Sequence, residues 1–391
     1  MKPISIANDI FYVGVNDRRK ALFENMLPLP YGVAYNSYIV RDERIALIDA
    51  VECPFGETLI ERIKSAIGDR QPDYLIVNHM EPDHSSSILT VRSAFPNIKL
   101  VGNAKTLSML KGYYGIDDGT LEVKDGDKLS LGQHTLQFFL TPMVHWPEVM
   151  VTYDVEHHTL FSADAFGCFG TLDGAVLDTD LDTEKYFAEM YRYYANIVGK
   201  YGLPVQNALK KLNALPIHMI CSTHGPVWTE QIPKVLNIYD RLSRYEGEQG
   251  IVIVYGSMYG HTEEMAEAVA RGAVKVCKNV RLYNCSHTDA SILVSEIFRY
   301  KGLIVGTPTY CNGLYPNIAS LLQKLEVRGL QNRVFGMFTS YSWANSAERD
   351  IKAFAERMKW PTPYAVQVKQ RMTDTDAEAL ESLGQTIAEN I

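Results

Sequence analysis

The stretch Val77-Asn-His-Met-Glu-Pro-Asp-His84 decides how the chain is read. His79, Glu81, Asp83 and His84 place four potential metal ligands within six residues. They follow directly on Tyr74-Leu-Ile-Val77, a short apolar run bounded by Pro72 and Asp73 that reads as a buried strand. The ligands therefore fall on the loop leaving the carboxyl end of a strand, where open α/β layers place their sites. A single His or Asp there would mean little, because solvated loops are polar. Two imidazoles and two carboxylates compressed behind one buried strand point to a cation. The mixed nitrogen and oxygen set suits iron, manganese or zinc, and the absence of cysteine from it argues against thiolate zinc or an iron–sulfur cluster.

Outward from this loop, the first half alternates short strands with amphipathic helices. Ile10–Val13, Tyr35–Val40 and Ile45–Asp49 read as strands, and Gly56–Gly68 as a helix with Leu59, Ile60, Ile63 and Ile67 on one face. Ser85–Ala94 reads as a helix capped by Ser85 or Ser86. Lys99–Val101, Thr135–Leu140, Val149–Tyr153, Thr159–Ser162 and Ile217–Ser222 complete the strands, with helices around Lys105–Tyr113, Thr183–Val198 and Val205–Leu212. This pattern suggests a four-layer αββα sandwich rather than a simple parallel sheet. Three more ligand types recur at strand ends: His145 after Gln137-Phe-Phe-Leu-Thr-Pro-Met-Val144, Asp164 after Thr159–Ala163, and His224 after Ile217-His-Met-Ile-Cys-Ser-Thr223. Singly each is better explained as a cap or a polar edge residue; jointly, at the same structural position as the first cluster, they point to one site. His134, His157, His158, His218 and His287 carry no partner pattern and are expected to be structural.

Glu246-Gly-Glu-Gln-Gly250 interrupts two apolar patterns and reads as an interdomain linker, dividing the chain into 1–247 and 248–391. Ile251–Tyr255 then reads as a central parallel strand. It feeds Gly256-Ser-Met-Tyr-Gly-His-Thr262 and a helix, an arrangement that binds anions: helix N–H groups face the phosphate, Gly256 and Gly260 let it approach, and Ser257 and Thr262 add hydroxyls. The loop has neither Gly-Lys-Ser/Thr nor G-x-G-x-x-G, so neither an NTPase nor a dinucleotide fold is indicated. A permanently held monophosphate fits. Strands Gly302–Gly306 and Val334–Thr339 feed two further loops, Thr307–Gly313 and Ser340–Asn345, which carry aromatics.

Composition sets the bounds. A chain of 391 residues favours two domains. The net charge of −8 comes without any basic block, so nucleic acid is not an expected partner. No apolar run approaches the roughly 18 residues of a membrane helix, and no signal peptide is read. Six scattered cysteines without a C-x-x-C pair fit a reducing, cytoplasmic setting.

The set His79-x-Glu81-x-Asp83-His84, His145, Asp164 and His224 resembles the metallo-β-lactamase-like superfamily. Hydrolytic members carry His where this chain has Glu81, and that difference marks the flavodiiron proteins. A carboxylate there favours hard, redox-active iron over zinc. Thr141-Pro-Met-Val-His-Trp-Pro147, Phe161-Ser-Ala-Asp-Ala-Phe-Gly167 and Ser222-Thr-His-Gly-Pro226 are similar to the family's ligand segments. The resemblance implies that His79, Glu81 and His145 hold one non-haem iron, Asp83, His84 and His224 a second, and that Asp164 bridges them. It makes Tyr193, on a helix bordering the site, a candidate proton donor. Glu24 stands where many members carry an outer histidine.

The second half resembles flavodoxin, a doubly wound parallel sheet of order 2-1-3-4-5 with FMN at its switch point. That resemblance assigns FMN to Ser257, Met258, Tyr259, Gly260, His261 and Thr262 of the first loop. It adds Pro308, Thr309, Tyr310, Asn312 and Gly313 of the second, and Ser340, Tyr341, Ser342, Trp343 and Ala344 of the third. Trp343 is the first choice for stacking on the flavin and Tyr310 the second. Members often have Gly-Trp followed by glycines, where this chain has Ser342 before Trp343 and Asn345-Ser346 after it. The implied activity is reduction of O2 to water, of NO to N2O, or of both. Electrons pass through FMN from a separate rubredoxin, since no C-x-x-C pair marks a fused one. A head-to-tail homodimer or a dimer of dimers is the implied assembly. Two rival functions are a zinc hydrolase with an appended flavodoxin domain, against which Glu81 speaks, and a non-catalytic flavin electron carrier, against which the full ligand set speaks.

Overall fold

The computed structural model describes residues 3–391. The chain divides into two compact units: the chain up to Tyr193 together with Leu203–Asp240, and Tyr194–Gly202 together with Arg241–Ile391.

The first unit is built on two large sheets, with two short two-stranded pairings, Val15–Asp17 with Val33–Tyr35 and Leu22–Phe23 with Leu27–Pro28, beside them. In the larger, strands follow one another in space as in sequence: β1 (Ile4–Ala7), β2 (Ile10–Tyr12), β3 (Tyr38–Arg41), β4 (Ile45–Ile48), β5 (Tyr74–Ile76), β6 (Lys99–Gly102) and β7 (Thr120–Glu122). β1 to β4 form an antiparallel meander, and β4 to β7 are parallel. The smaller sheet runs β8 (Lys128–Ser130), β9 (Thr135–Leu140), β10 (Met150–Asp154), β11 (Thr159–Phe161) and β12 (Met219–Cys221), antiparallel except for its last pair. The sheets face each other through rings such as Tyr38 and Phe161, 5.6 Å apart. This metallo-β-lactamase-like sandwich is the expected fold. β4 and β5 are buried along their whole length, as strands covered on both faces must be.

Local details depart from the sequence reading. The expected strand Tyr35–Val40 is interrupted at Asn36-Ser37, where the chain passes from its pairing with Val15–Asp17 into the larger sheet. Asn36 donates from its backbone to the Thr223 carbonyl at 2.7 Å and from Nδ2 to the Ser222 and Gly225 carbonyls. Neither Ser85 nor Ser86 N-caps the following helix, where Ser87 holds that position. A single turn, Pro82–Ser85, precedes the helix Ile88–Ala94. Ser85 Oγ bonds the Met80 carbonyl and the Tyr114 hydroxyl, and Ser86 Oγ accepts from Cys53 N. The helix read as Thr183–Val198 is α-helical only over Glu184–Tyr193 and widens to a π turn over Tyr194–Val198. A helix at Ile232–Ser243 had no counterpart in the sequence reading.

The second unit is a parallel sheet of order β14-β13-β15-β16-β17, with β13 Glu248–Tyr255, β14 Val280–Asn284, β15 Tyr300–Tyr310, β16 Val334–Tyr341 and β17 Tyr364–Lys369. This is the expected 2-1-3-4-5 order. The stretch 246–250 is not a free linker: β13 begins at Glu248, whose carboxylate binds Arg241 at 2.7 Å and Arg299 at 3.0 Å. Two helices on one face of the sheet, His261–Ala273 and Asp374–Glu389, meet backbone to backbone. A Cβ on Gly384 would lie 2.0 Å from the Val269 carbonyl oxygen, and one on Gly272 1.8 Å from that of Glu381, so both positions require glycine.

Candidate functional site

The loop after β5 is fixed before any ligand is considered. Asp49, at the end of β4, accepts from Asn78 N at 2.7 Å and from Asn78 Nδ2 at 2.9 Å. The Asn78 side chain in turn accepts from Thr152 Oγ1 at 2.7 Å, and its carbonyl accepts from Met150 N. The turn Pro82–Ser85 then reverses direction, which puts His79 and Glu81 on one side and Asp83 and His84 on the other.

Two groups of buried side chains result: His79, Glu81, His145 and Asp164, and Asp83, His84 and His224. In the first, Glu81 Oε2 lies 3.2 Å from His79 Nε2 and 2.9 Å from His145 Nε2. Asp164 Oδ2 lies 3.2 Å from His145 Nε2 and 3.5 Å from His79 Nε2. In the second, His84 Nε2 lies 3.2 Å from Asp83 Oδ2, and His224 Nε2 lies 3.3 Å from the same oxygen. Asp164 Oδ1 turns to this group, 3.1 Å from His84 Nε2 and 3.7 Å from His224 Nε2. Atoms that share a cation at about 2.0–2.2 Å sit roughly 3 Å from one another, so both groups are dimensioned for one ion each. Both oxygens of Asp83, Oδ2 of Asp164 and Nδ1 of His84 are buried and have no hydrogen-bond partner among the described residues, a debt that a cation settles for the oxygens.

The electrostatics agree. Burial favours neutral rings, yet the facing carboxylates outweigh it and push His84 and His145 up to about 9. Burial opposes charge on Glu81 and Asp164 too, but the imidazoles hold both well below the usual carboxylate range. A field that retains protons on rings whose nitrogens converge also favours metal ions there, and metal binding must expel those protons.

Residues absent from the sequence reading complete the site. Glu148 Oε1 accepts from His79 Nδ1 at 2.8 Å and from Met80 N at 2.9 Å, which leaves the Nε2 lone pair of His79 facing the cluster. The Ala34 carbonyl does the same for His224 Nδ1 at 2.7 Å, and Thr223 Oγ1 donates to Asp164 Oδ1 at 2.6 Å. A ligating imidazole needs an acceptor on its other nitrogen, but nothing in sequence spacing says which residue supplies it. Glu24, at the exposed tip of the hairpin Leu22–Pro28, hydrogen-bonds Glu81; burial first, then the charge of Glu81, pushes it up to about 7. Tyr193 is fully buried, its ring 5.5 Å from that of His224 and packed against Phe23 and Phe169. Its hydroxyl has no hydrogen-bond partner among the described residues, and burial raises its pKa well above the ordinary value.

In the second unit the strand-end loops enclose a cleft of about 730 Å³. Ser257, Met258, Tyr259, His261 and Thr262 line it from the first loop, Pro308, Thr309, Tyr310 and Asn312 from the second, and Ser340, Tyr341, Ser342, Trp343 and Ala344 from the third. Cys311, Gln370 and Arg371 line it as well and were not expected; Gly260 and Gly313 do not line it. Gly260 caps the helix at a φ of 95° with its N–H on Ser257 Oγ. Gly256 is required for another reason than phosphate approach: a Cβ there would meet the Tyr315 ring at 2.4 Å. The expected loop Thr307–Gly313 is instead the end of β15, folded back on Gly313-Leu314 through left-handed Cys311 and Asn312. Trp343 and Tyr259 are 88% and 89% exposed, two large rings at a cleft with nothing stacked on them.

The comparisons follow the same division. The family described as ODP family beta lactamase matches residues 33–225, and Flavodoxin matches 253–378. An uncharacterized protein of Methanocaldococcus jannaschii is 34% identical over 350 residues, covering 89% of this chain and 88% of that protein. The anaerobic nitric oxide reductase flavorubredoxin of Salmonella paratyphi B is 30% identical over 385 residues, covering 97% of this chain and 80% of that protein. Among solved structures, rubredoxin oxygen:oxidoreductase from Desulfovibrio gigas superposes with a TM-score of 0.93 at 29% identity, covering 100% of this chain and 98% of that one. The flavodiiron protein from Giardia intestinalis gives 0.94 at 27%, covering 100% and 96%. With both halves matched in order and the relatives aligned across nearly the whole length, the chain belongs to the flavodiiron proteins, a family of oxidoreductases.

Proposed function

We propose that this protein reduces O2 to water, NO to N2O, or both, at a pair of non-haem irons. His79, Glu81 and His145 would hold one iron, Asp83, His84 and His224 the other, with Asp164 shared between them. The observation that carries the reading is the division of Asp164, each oxygen facing a different group of ligands. When bound, the irons and FMN supply the electrons: four for O2 reduced to two waters, two for a pair of NO molecules.

The chain's own residues do the remaining work. Asp49, Glu148, the Ala34 carbonyl and Thr223 hold the ligands in register. Phe23, Phe169 and Tyr193 wall one side of the site and keep bulk water from it. Glu24 contacts Glu81 from the exposed side and meets whatever enters there. In the second unit, the helix N-terminus at His261, with Ser257 and Thr262, suits the phosphate of FMN, and Trp343 and Tyr310 suit the flavin ring.

The same reading expects rubredoxin or a similar small carrier as donor, a cytoplasmic setting, and copies paired head to tail. Among the described residues no helix is long and apolar enough to cross a membrane. The test is turnover of the iron- and FMN-loaded protein with reduced rubredoxin, prepared without oxygen and then given O2 or NO in parallel runs. Water or N2O formed at steady state supports the proposal. Flavin reoxidation without either product would indicate a carrier, and zinc without iron in the purified protein would indicate a hydrolase.

A further inference from the structure

We infer that His134, Asp154 and His157 form a third cation site, separate from the two groups above, for one borderline divalent ion of the zinc type. The three sit at the opposite end of the smaller sheet. His134 is in the turn before β9, Asp154 closes β10, and His157 lies in the turn leading to β11. The ligand loops leave the other ends of β9 and β11, one strand length away, about 10–20 Å at 3.4 Å per residue.

His134 Nδ1 lies 2.6 Å from Asp154 Oδ2, and His157 Nδ1 lies 3.2 Å from the same oxygen. The two imidazoles stack with centroids 4.0 Å apart and planes at 19°, so both Nδ1 atoms aim at one carboxylate. A charge-assisted His134–Asp154 bond with His157 resting on it is the simpler account, and it fails on two atoms. Asp154 Oδ1 and His157 Nδ1 are buried without a hydrogen-bond partner among the described residues. A cation bound by both Nδ1 atoms and the carboxylate satisfies them together. Two imidazoles and one carboxylate are a borderline donor set, and the 31% exposure of the His157 side chain leaves an open side for water as a fourth ligand. The turns are held independently: Asp42 Oδ2 accepts from His134 N, and Glu156 Oε2 from Thr135 N, each at 2.7 Å. The cation would replace the proton between His134 and Asp154, so uptake releases about one proton. Sequence spacing concealed the site because His134 lies on one hairpin turn and Asp154 and His157 on another.

The test uses the full chain. Its metal content is counted, it is dialysed against micromolar Zn2+, and it is counted again while proton release is followed. One additional zinc per chain is expected, with other metals unchanged and about one proton released. His157→Ala, at the half-exposed edge where folding is least at risk, and the isosteric Asp154→Asn should each weaken uptake by about tenfold or more. His158→Ala, which removes a neighbouring imidazole, should not. No additional zinc, or uptake that survives both His157→Ala and Asp154→Asn, overturns the inference.

Discussion

Replacing Glu148 with Gln tests whether the ligands are held by an outer layer of the chain itself. Glu148 is fully buried, and Oε1 accepts two hydrogen bonds, from His79 Nδ1 and Met80 N. Gln has the same shape, and its carbonyl oxygen can accept both, so the loop should keep its path. What changes is the charge of the acceptor. A hydrogen bond to a charged group contributes about 1.5–3 kcal/mol and a neutral one about 0.5–1.5, a difference of roughly 1–1.5 kcal/mol. That lowers iron affinity at the His79 group about five- to tenfold, at the lower edge of the roughly 10- to 100-fold effect of such outer partners. If the amide turns over, its NH2 faces Nδ1 and drives the ring proton to Nε2, where the cation must sit, and the loss grows. Anaerobic Fe(II) titration of the chelated protein reads the result. Two unequal binding steps are expected, the weaker one shifted and the Asp83 group unchanged. Wild-type affinity at both steps, or equal loss at both, would refute the reasoning.

Three other outcomes are expected. Gly225→Ala should destabilise the first unit by about 2–4 kcal/mol in urea unfolding, because a Cβ there lies 2.3 Å from Cys168 Sγ at a φ of 76°. Trp343→Ala should leave stability within about 0.5 kcal/mol but weaken FMN retention by about 1 kcal/mol, roughly fivefold, read as flavin fluorescence released on dialysis. Thr373→Ala removes the capping box of the last helix, in which Asp376 N donates to Thr373 Oγ1 and Thr373 N to Asp376 Oδ2, and should cost about 1 kcal/mol. The Thr373 hydroxyl and N–H, both donating to the Asp376 carboxylate, hold it below its ordinary value of 3.8. The contribution of these two bonds is therefore complete above that pH and is lost as pH falls through the lowered value, while the Asp376 N–H bond to Thr373 Oγ1 does not titrate. The gap in melting between wild type and variant should therefore narrow in acid without closing.

What the sequence disclosed was chemistry at strand ends. His79, Glu81, Asp83, His84, His145, Asp164 and His224 could be singled out because their side-chain types are conspicuous after apolar runs, and the structure brings all of them together in two groups. The second sheet was legible because strands such as Ile251–Tyr255 are continuous apolar runs, which only burial on both faces explains. Glu148 and the Ala34 carbonyl were not legible, since a hydrogen-bond acceptor is chosen by position in space. The breaks at Asn36-Ser37 and Ser85–Ser87 were missed because strands and turns of two to four residues carry no period. The packing of Gly256 against Tyr315 was not legible either, because Tyr315 lies far along the chain.

The close seating of Gly272 and Gly384 ties the tail of the chain to the strand-end cleft of the second unit. The helix that opens at His261 cannot shift along its axis without dragging Asp374–Glu389 with it, because at the two glycines backbone meets backbone and Arg271 and Lys275 pair with Glu381. A protease cut near Thr373 that released the last helix would thus unseat the loop Gly256–Thr262 from behind. Flavin loss after such a nick would report damage at residues that never meet the cofactor.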